Sequence, residues 1–168
     1  MADDELVVRA CRVDDAAGLA AMYALDRGEI EGAEPWRAPS FFEVDGQVER
    51  ISRSWVEHRT LGFVALRRDR IVGLFVLEDV TDDSAFVGYH VAADRRRQGV
   101  ASCGLASLAD IAFGEVGLRT IVADIEPHNI ASCRVVERNG FRHEGSVTID
   151  DVHHERWVLN REDAASGA

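Results

Sequence analysis

Lysine is absent from this chain: all 19 of its basic residues are arginine. We attach no function to that bias, which genomic base composition accounts for. Excess positive charge is absent too. The net charge of −11 argues against a general polyanion binder, because neutralising phosphates takes a basic surface. Nucleic acid is therefore not an expected partner, and cationic partners such as amines are mildly favoured. Cysteine is scarce: Cys11, Cys103 and Cys133 are odd in number, show no CxxC and have no metal-ligand spacing. Long apolar runs are missing as well. A stretch such as Ile71–Leu77 is far too short to cross a bilayer, and MADDELVVRACR lacks the pattern of a signal peptide. The expected setting is a reducing cytoplasm, with no membrane partner. His153 and His154 stand beside Asp150, Asp151 and Glu155, yet neighbouring strand residues face opposite sides, so no metal is expected there.

The remaining composition is that of one globular domain, expected over residues 1–163, with residues 164–168 as a disordered tail. Leu6–Cys11 reads as a strand, and Asp14-Asp15 as the N-cap and acidic first turn of a helix ending near Leu25. Residues 26–43 read as a long loop, too polar and broken for core. Val44, Val48, Ile51, Trp55 and Val56 mark an amphipathic helix over Val44–His58. Leu61–Leu66 and Ile71–Leu77 form a hairpin around Arg67–Arg70, and Phe86–Ala93 is a third strand. Gly99–Phe113 is a buried helix, Ile121–Ile125 a strand, and Ile130–Arg138 a helix capped by Asn139-Gly140. Phe141–Ile149 and His153–Asn160 close the chain as a second hairpin. The fold class is mixed α/β: a twisted mixed sheet of about seven strands, helices on both faces, in the order β-α-α-β-β-β-α-β-α-β-β.

Between the third strand and the buried helix stands DRRRQGVASCG, Asp94 to Gly104. A helix N-terminus leaves several N–H groups unpaired and carries partial positive charge. Glycine in the entering turn lets an anion approach the backbone, and Arg96 and Arg97 add charge. Neither Gly-Lys-Ser/Thr nor GxGxxG is present. On these residues alone a phosphate cradle and a solvated helix start are equally good readings.

Arg96-Arg97-Gln98-Gly99-Val100-Ala101 resembles the R/Q-x-x-G-x-G/A signature of the GNAT superfamily of N-acetyltransferases. VGYHV, Val87–Val91, resembles that family's bulged strand. EPHNIASCRVVERNGFRHEG, Glu126–Gly145, resembles the P-x-N-x-x-S…GF-x-x-EG segment of its ribosomal-protein N-terminal acetyltransferase branch. EPWRAP, Glu34–Pro39, is similar to the same branch's acceptor loop. Three of these segments in order and spacing, over about residues 6–160, make the resemblance specific.

The resemblance implies an acetyl-CoA-dependent transfer of acetyl to a primary amine, by direct attack on the thioester. The acceptor is a protein N-terminal α-amine or a small amine, and a homodimer is compatible with the family. Acetyl-CoA enters as cosubstrate, with no metal. By the same resemblance the turn from Arg96 through Gln98 to Ala101 holds the coenzyme pyrophosphate, and the backbone of Tyr89–Val91 pairs with pantetheine. Many members carry a tyrosine seven residues after the helix-start Asn; counted from Asn129, that place is Val136. Ser132, one turn earlier, is implied to contact the coenzyme near the sulfur, and Asn129 its pantetheine arm. Both are equally ordinary as helix-start residues. Candidates for the base are His90, Asp124 and Glu126, each of which is equally a plain strand residue. Glu34, Trp36, Phe41 and their neighbours suit a cationic amine, or simply anchor a solvated loop. The missing tyrosine keeps one rival from another class: a non-catalytic acyl-CoA-binding regulatory module of the same fold.

Overall fold

A computed structural model describes residues 5–166. Its centre is RIVGLFVLE, strand β3 (Arg70–Glu78), whose side chains are buried on both faces of the sheet. Such a near-continuous apolar run fits a strand covered on both sides. β2 (Leu61–Arg67) pairs with it antiparallel through a turn where Arg68 and Asp69 both take positive φ. That is the backbone twist a two-residue hairpin requires. β4 (Ser84–Val91) pairs on the other side. With β1 (Val7–Ala10), β5 (Thr120–Ile125), β6 (Arg142–Ile149) and β7 (Val152–Asn160) the order across the sheet is β1-β2-β3-β4-β5-β7-β6. Every neighbouring pair is antiparallel except β4 and β5. The seven-stranded mixed sheet of the sequence reading is present.

Two apolar clusters sandwich it. On one face α1 (Ala16–Leu25) and α3 (Val44–His58) cover β2 and β3, and Leu19, Met22, Tyr23, Phe42, Val64 and Leu74 are buried there. On the other, α4 (Val100–Ile111) and α5 (Ile130–Arg138) enclose Phe75, Leu105, Leu108, Ile121 and Val136, none of which retains accessible surface. The entry to α1 is held by Asp15, which accepts the Arg12 N–H at 2.7 Å and pairs with Arg9 at 2.7 Å.

Three expectations need correction. Residues 26–43 are not one loop: α2 (Arg27–Ala33) and a 3-10 turn (Pro39–Phe42) lie within them, and Asp26 and Phe42 are buried. The apolar stripe of α3 is only partly inward; Val56 is 82% exposed, while Gln47 is fully buried and donates to the Phe41 carbonyl. A hydrogen bond to tertiary backbone thus set that helix's rotation ahead of apolar periodicity. α6 (Arg161–Ser166) includes the described part of the expected tail; Gly167 and Ala168 lie outside the described residues. Among the described residues no helix is long and apolar enough to cross a membrane, and no group of three or more His, Cys, Asp or Glu could hold a metal ion.

Candidate active site

β4 and β5 run parallel for only three residue pairs, Ser84–Phe86 against Thr120–Val122. Beyond them β4 continues to Val91 on β3, and β5 continues to Ile125 on β7. The two strands diverge and leave a slot between Val87–Val91 and Ala123–Ile125. Backbone N–H and C=O groups along its walls have no ladder partner across the gap, so they are free to pair with an extended ligand. The expected bulge in Val87–Val91 is not there: the β3–β4 register is unbroken from Phe86 to Val91. The opening comes from divergence instead.

A cavity of about 220 Å³ fills the slot, lined by Gly88, Tyr89, Asp124, Glu126, Asn129 and Ser132, among others. Asn129 caps α5, its Oδ1 accepting the Ser132 N–H at 3.1 Å, so the capping reading of Asn129 is correct and compatible with a place in the slot. Asp124 is nearly buried and held by Arg156 in a two-pronged pair at 2.8 and 2.7 Å. The carboxylate hydrogen bonds push the Arg156 guanidinium further up. Glu126 is half exposed at the rim, 3.4 Å from His128. Tyr89 stacks on Phe75 at 5.7 Å. Its hydroxyl is buried without a hydrogen bond of normal geometry, although Ser132 is near enough to pull against the upward push of burial on its pKa.

At one end of the slot β4 leads through a 3-10 turn (Ala93–Arg95) to α4. Arg97 and Gly99 both hold left-handed backbone, φ 62° and 80°, and no side chain caps the helix. Open space surrounds the position a Cβ would take on Gly99, so a ligand meets the backbone there directly. The first N–H groups of α4, beginning at Val100 and Ala101, point into an anion-favouring end. Gln98 spends its amide on the Asp94 carbonyl at 3.0 Å, and Arg97 is exposed without a side-chain partner.

Arg96 corrects an expectation. Its guanidinium is committed to carboxylates, Glu29 Oε2 at 2.8 Å and Asp26 Oδ2 at 3.3 Å, and its Nε reaches the Val91 carbonyl at 3.3 Å. The acidic junction of α1 and α2 claims the charge expected on phosphate, whereas Arg97 meets no side-chain partner among the described residues.

His90 is also separated from the slot cavity. Strand alternation turns it to the α1 face, where Nε2 meets Asp26 Oδ2 at 2.7 Å and the ring lies 5.2 Å from Tyr23. The loop residues divide likewise. Trp36 is 74% exposed, whereas Phe41 packs on Tyr23 at 4.5 Å under Arg37, and Glu34 is paired with Arg37. Three groups escaped the sequence reading: Asp26, the Tyr89 side chain and Arg156 as partner of Asp124. Only the alternation of β4 carried a signal, and only for Tyr89.

The residues present fit an acyl-coenzyme A at both ends: a glycine turn and an uncapped helix for the phosphates, and a slot with an unsatisfied hydroxyl for the thioester. Residues 5–142 match the family described as acetyltransferase (GNAT) domain. The chain belongs to that family and is an acetyl-CoA-dependent acetyltransferase. Among its relatives, a probable N-acetyltransferase, YjcK, of Bacillus subtilis (strain 168) is 29% identical over 166 residues, covering 92% of each chain. The Mycobacterium smegmatis RimJ structure in complex with CoA-disulfide is 28% identical, covers 96% of this chain and 86% of its own, and superposes with a TM-score of 0.81. A ribosomal-protein-S5-alanine acetyltransferase from Vibrio fischeri, 22% identical over 94% of both chains, shares the fold with a TM-score of 0.84.

Proposed function

We propose that this chain acetylates a primary amine, a protein N-terminal α-amine in the first instance, by direct attack of the nitrogen on the thioester of acetyl-CoA. One observation carries the reading: the divergence of β4 and β5 joins the glycine turn before α4 to a rim bearing Asp124 and Glu126. Phosphates at the turn and a cationic acceptor beside Glu126 suit that arrangement, the charge of Asp124 being taken up by Arg156.

The roles follow from position. Backbone N–H groups from Gly99 to Ala101, with Arg97 beside them, bind the pyrophosphate. The free edge of Tyr89–Val91 pairs with the pantetheine arm, and an N–H of that edge stabilises the charge that develops on the thioester oxygen. One such donor is typically worth about 3 kcal/mol of barrier. An α-amine ionises at about 8, so modest help from a base suffices near neutral pH. Glu126 at the rim takes that proton directly or through water; His90, turned to the α1 face and paired with Asp26, holds β4 in place instead. Ser132 stands beside the sulfur. Exposed Trp36 offers the acceptor a ring face, while Glu34 and Phe41 hold its loop in shape. The chain works as one domain over residues 1–163, in a reducing cytoplasm that suits its three free cysteines.

Free-thiol release from acetyl-CoA, with an alanine-initiated peptide, spermidine and kanamycin as acceptors, tests the reading. Peptide turnover is expected to exceed that of both small amines. Acetyl-CoA is also expected to raise the melting temperature of the wild type but not of Gly99→Glu, which puts bulk and negative charge into the turn. Stabilisation of that variant equal to wild type refutes the phosphate assignment. Tight coenzyme binding with no turnover of any acceptor points to a binding module instead.

A further inference from the structure

A buried phenol without a partner is a costly thing to keep, on the order of 1–3 kcal/mol, unless a ligand completes it. The Tyr89 hydroxyl is buried with no hydrogen bond of normal geometry and only Ser132 near it, and Tyr89 lines the slot cavity together with Ser132. Its ring is fixed by the stack on Phe75, so the hydroxyl keeps one position. Val136, seven residues after Asn129, is fully buried in the core and brings no proton donor to the slot.

We propose that the Tyr89 hydroxyl delivers the proton to the departing coenzyme sulfur, with Ser132 as its relay. This assignment rests on the acetyl-transfer reading above. As the C–N bond of the amide forms and the C–S bond breaks, the sulfur takes the hydroxyl proton of Tyr89. The phenolate recovers a proton through Ser132, and the amine nitrogen gives up one as it becomes an amide. Neutral amine and acetyl-CoA thus yield amide and free thiol with no net gain or loss of protons. Burial raises the hydroxyl above its ordinary value, against a smaller opposing effect of Ser132 and with a minor upward contribution from Cys133, so the group remains protonated at neutral pH. A phenol is also a far better acid than the serine hydroxyl beside it.

Tyr89→Phe tests this, since it keeps the ring and its stack and removes only the O–H. The binding readout is calorimetry with CoA and with desulfo-CoA, in which hydrogen replaces the thiol. Wild type is expected to prefer CoA by about fivefold, the worth of one hydrogen bond, and Tyr89→Phe to bind both alike. In free-thiol release with the alanine-initiated peptide, kcat is expected to fall about 100-fold while the KM for acetyl-CoA moves less than twofold. A variant that keeps both the CoA preference and kcat overturns the assignment. A wild type that turns over no acceptor overturns the transfer reading, and the CoA to desulfo-CoA ratio then still decides the hydroxyl–sulfur contact. Should Tyr89→Phe fold poorly, Ser132→Ala replaces it in both measurements, with a smaller loss of kcat expected; an unchanged kcat and CoA preference there count against the pair.

Discussion

His90 Nε2 and Asp26 Oδ2 lie 2.7 Å apart, tying strand β4 to the junction of α1 and α2. The same carboxylate oxygen is 3.3 Å from Arg96, so a single buried acid joins β4 and the α1–α2 junction to the turn before α4. If Asp26 acts through His90, Asp26→Asn and His90→Gln each lower kcat/KM for the amine by about tenfold, and the double variant loses little more. Steady-state kinetics on the four proteins measures the coupling. Additive losses would show that the two residues act separately.

Arg96 and Arg97 separate by the same geometry. Arg97→Ala is expected to weaken CoA binding by about fivefold at low salt and less at high salt, as the loss of an exposed phosphate contact should. Arg96→Ala is expected to leave CoA affinity within about twofold and to lower the melting temperature, because it removes the guanidinium that ties Asp26 to Glu29. Calorimetry at two ionic strengths, with a thermal melt alongside, distinguishes them.

Gly104 stands where α4 crosses β3. A Cβ there would lie 2.1 Å from the tip of the Phe75 ring. Gly104→Ala should therefore cost about 1–3 kcal/mol of stability by overpacking, read from urea unfolding. Because Phe75 carries Tyr89, kcat should fall with it even at temperatures where the variant stays folded.

Asp15 supplies the pH dependence. Its hydrogen bond with Arg9 holds its carboxyl below the ordinary carboxylate value, against the opposing effect of burial. A depressed carboxylate stabilises the fold above its unfolded pKa and loses that contribution as pH falls through the folded one. Asp15→Asn is accordingly expected to be less stable by about 1–3 kcal/mol at pH 7. The gap between the two melting curves should narrow as pH drops below about 4. A gap that persists unchanged at pH 2 would assign the effect to shape instead of charge.

Much of the frame was legible because short-range rules govern it. Ile71–Leu77 reads as a strand, Arg67–Arg70 as a hairpin turn, and Asn129 with Ser132 as a helix start. The glycine turn was legible for the same reason: φ 80° at Gly99 is a local demand. α2 was not legible. It has two glycines and no apolar period, and it is held partly through Glu29, which reaches Arg96, 67 residues away. Asp26 looked like the end of a helix because nothing beside it signals burial. The inward rotation of α3 escaped as well, since a buried glutamine took the place periodicity assigns to an apolar side chain.

From its order of residues alone the chain specified seven strands, an acidic balance, and a glycine turn between β4 and α4. Those depend on neighbours within a few positions. Which carboxylate would capture Arg96, that His90 would face α1 while Tyr89 faces the slot, and that β4 and β5 would part after three pairs were decided only by tertiary packing. Each is a competition between groups distant in sequence, settled by which charges and hydroxyls the closed sheet leaves within hydrogen-bond reach.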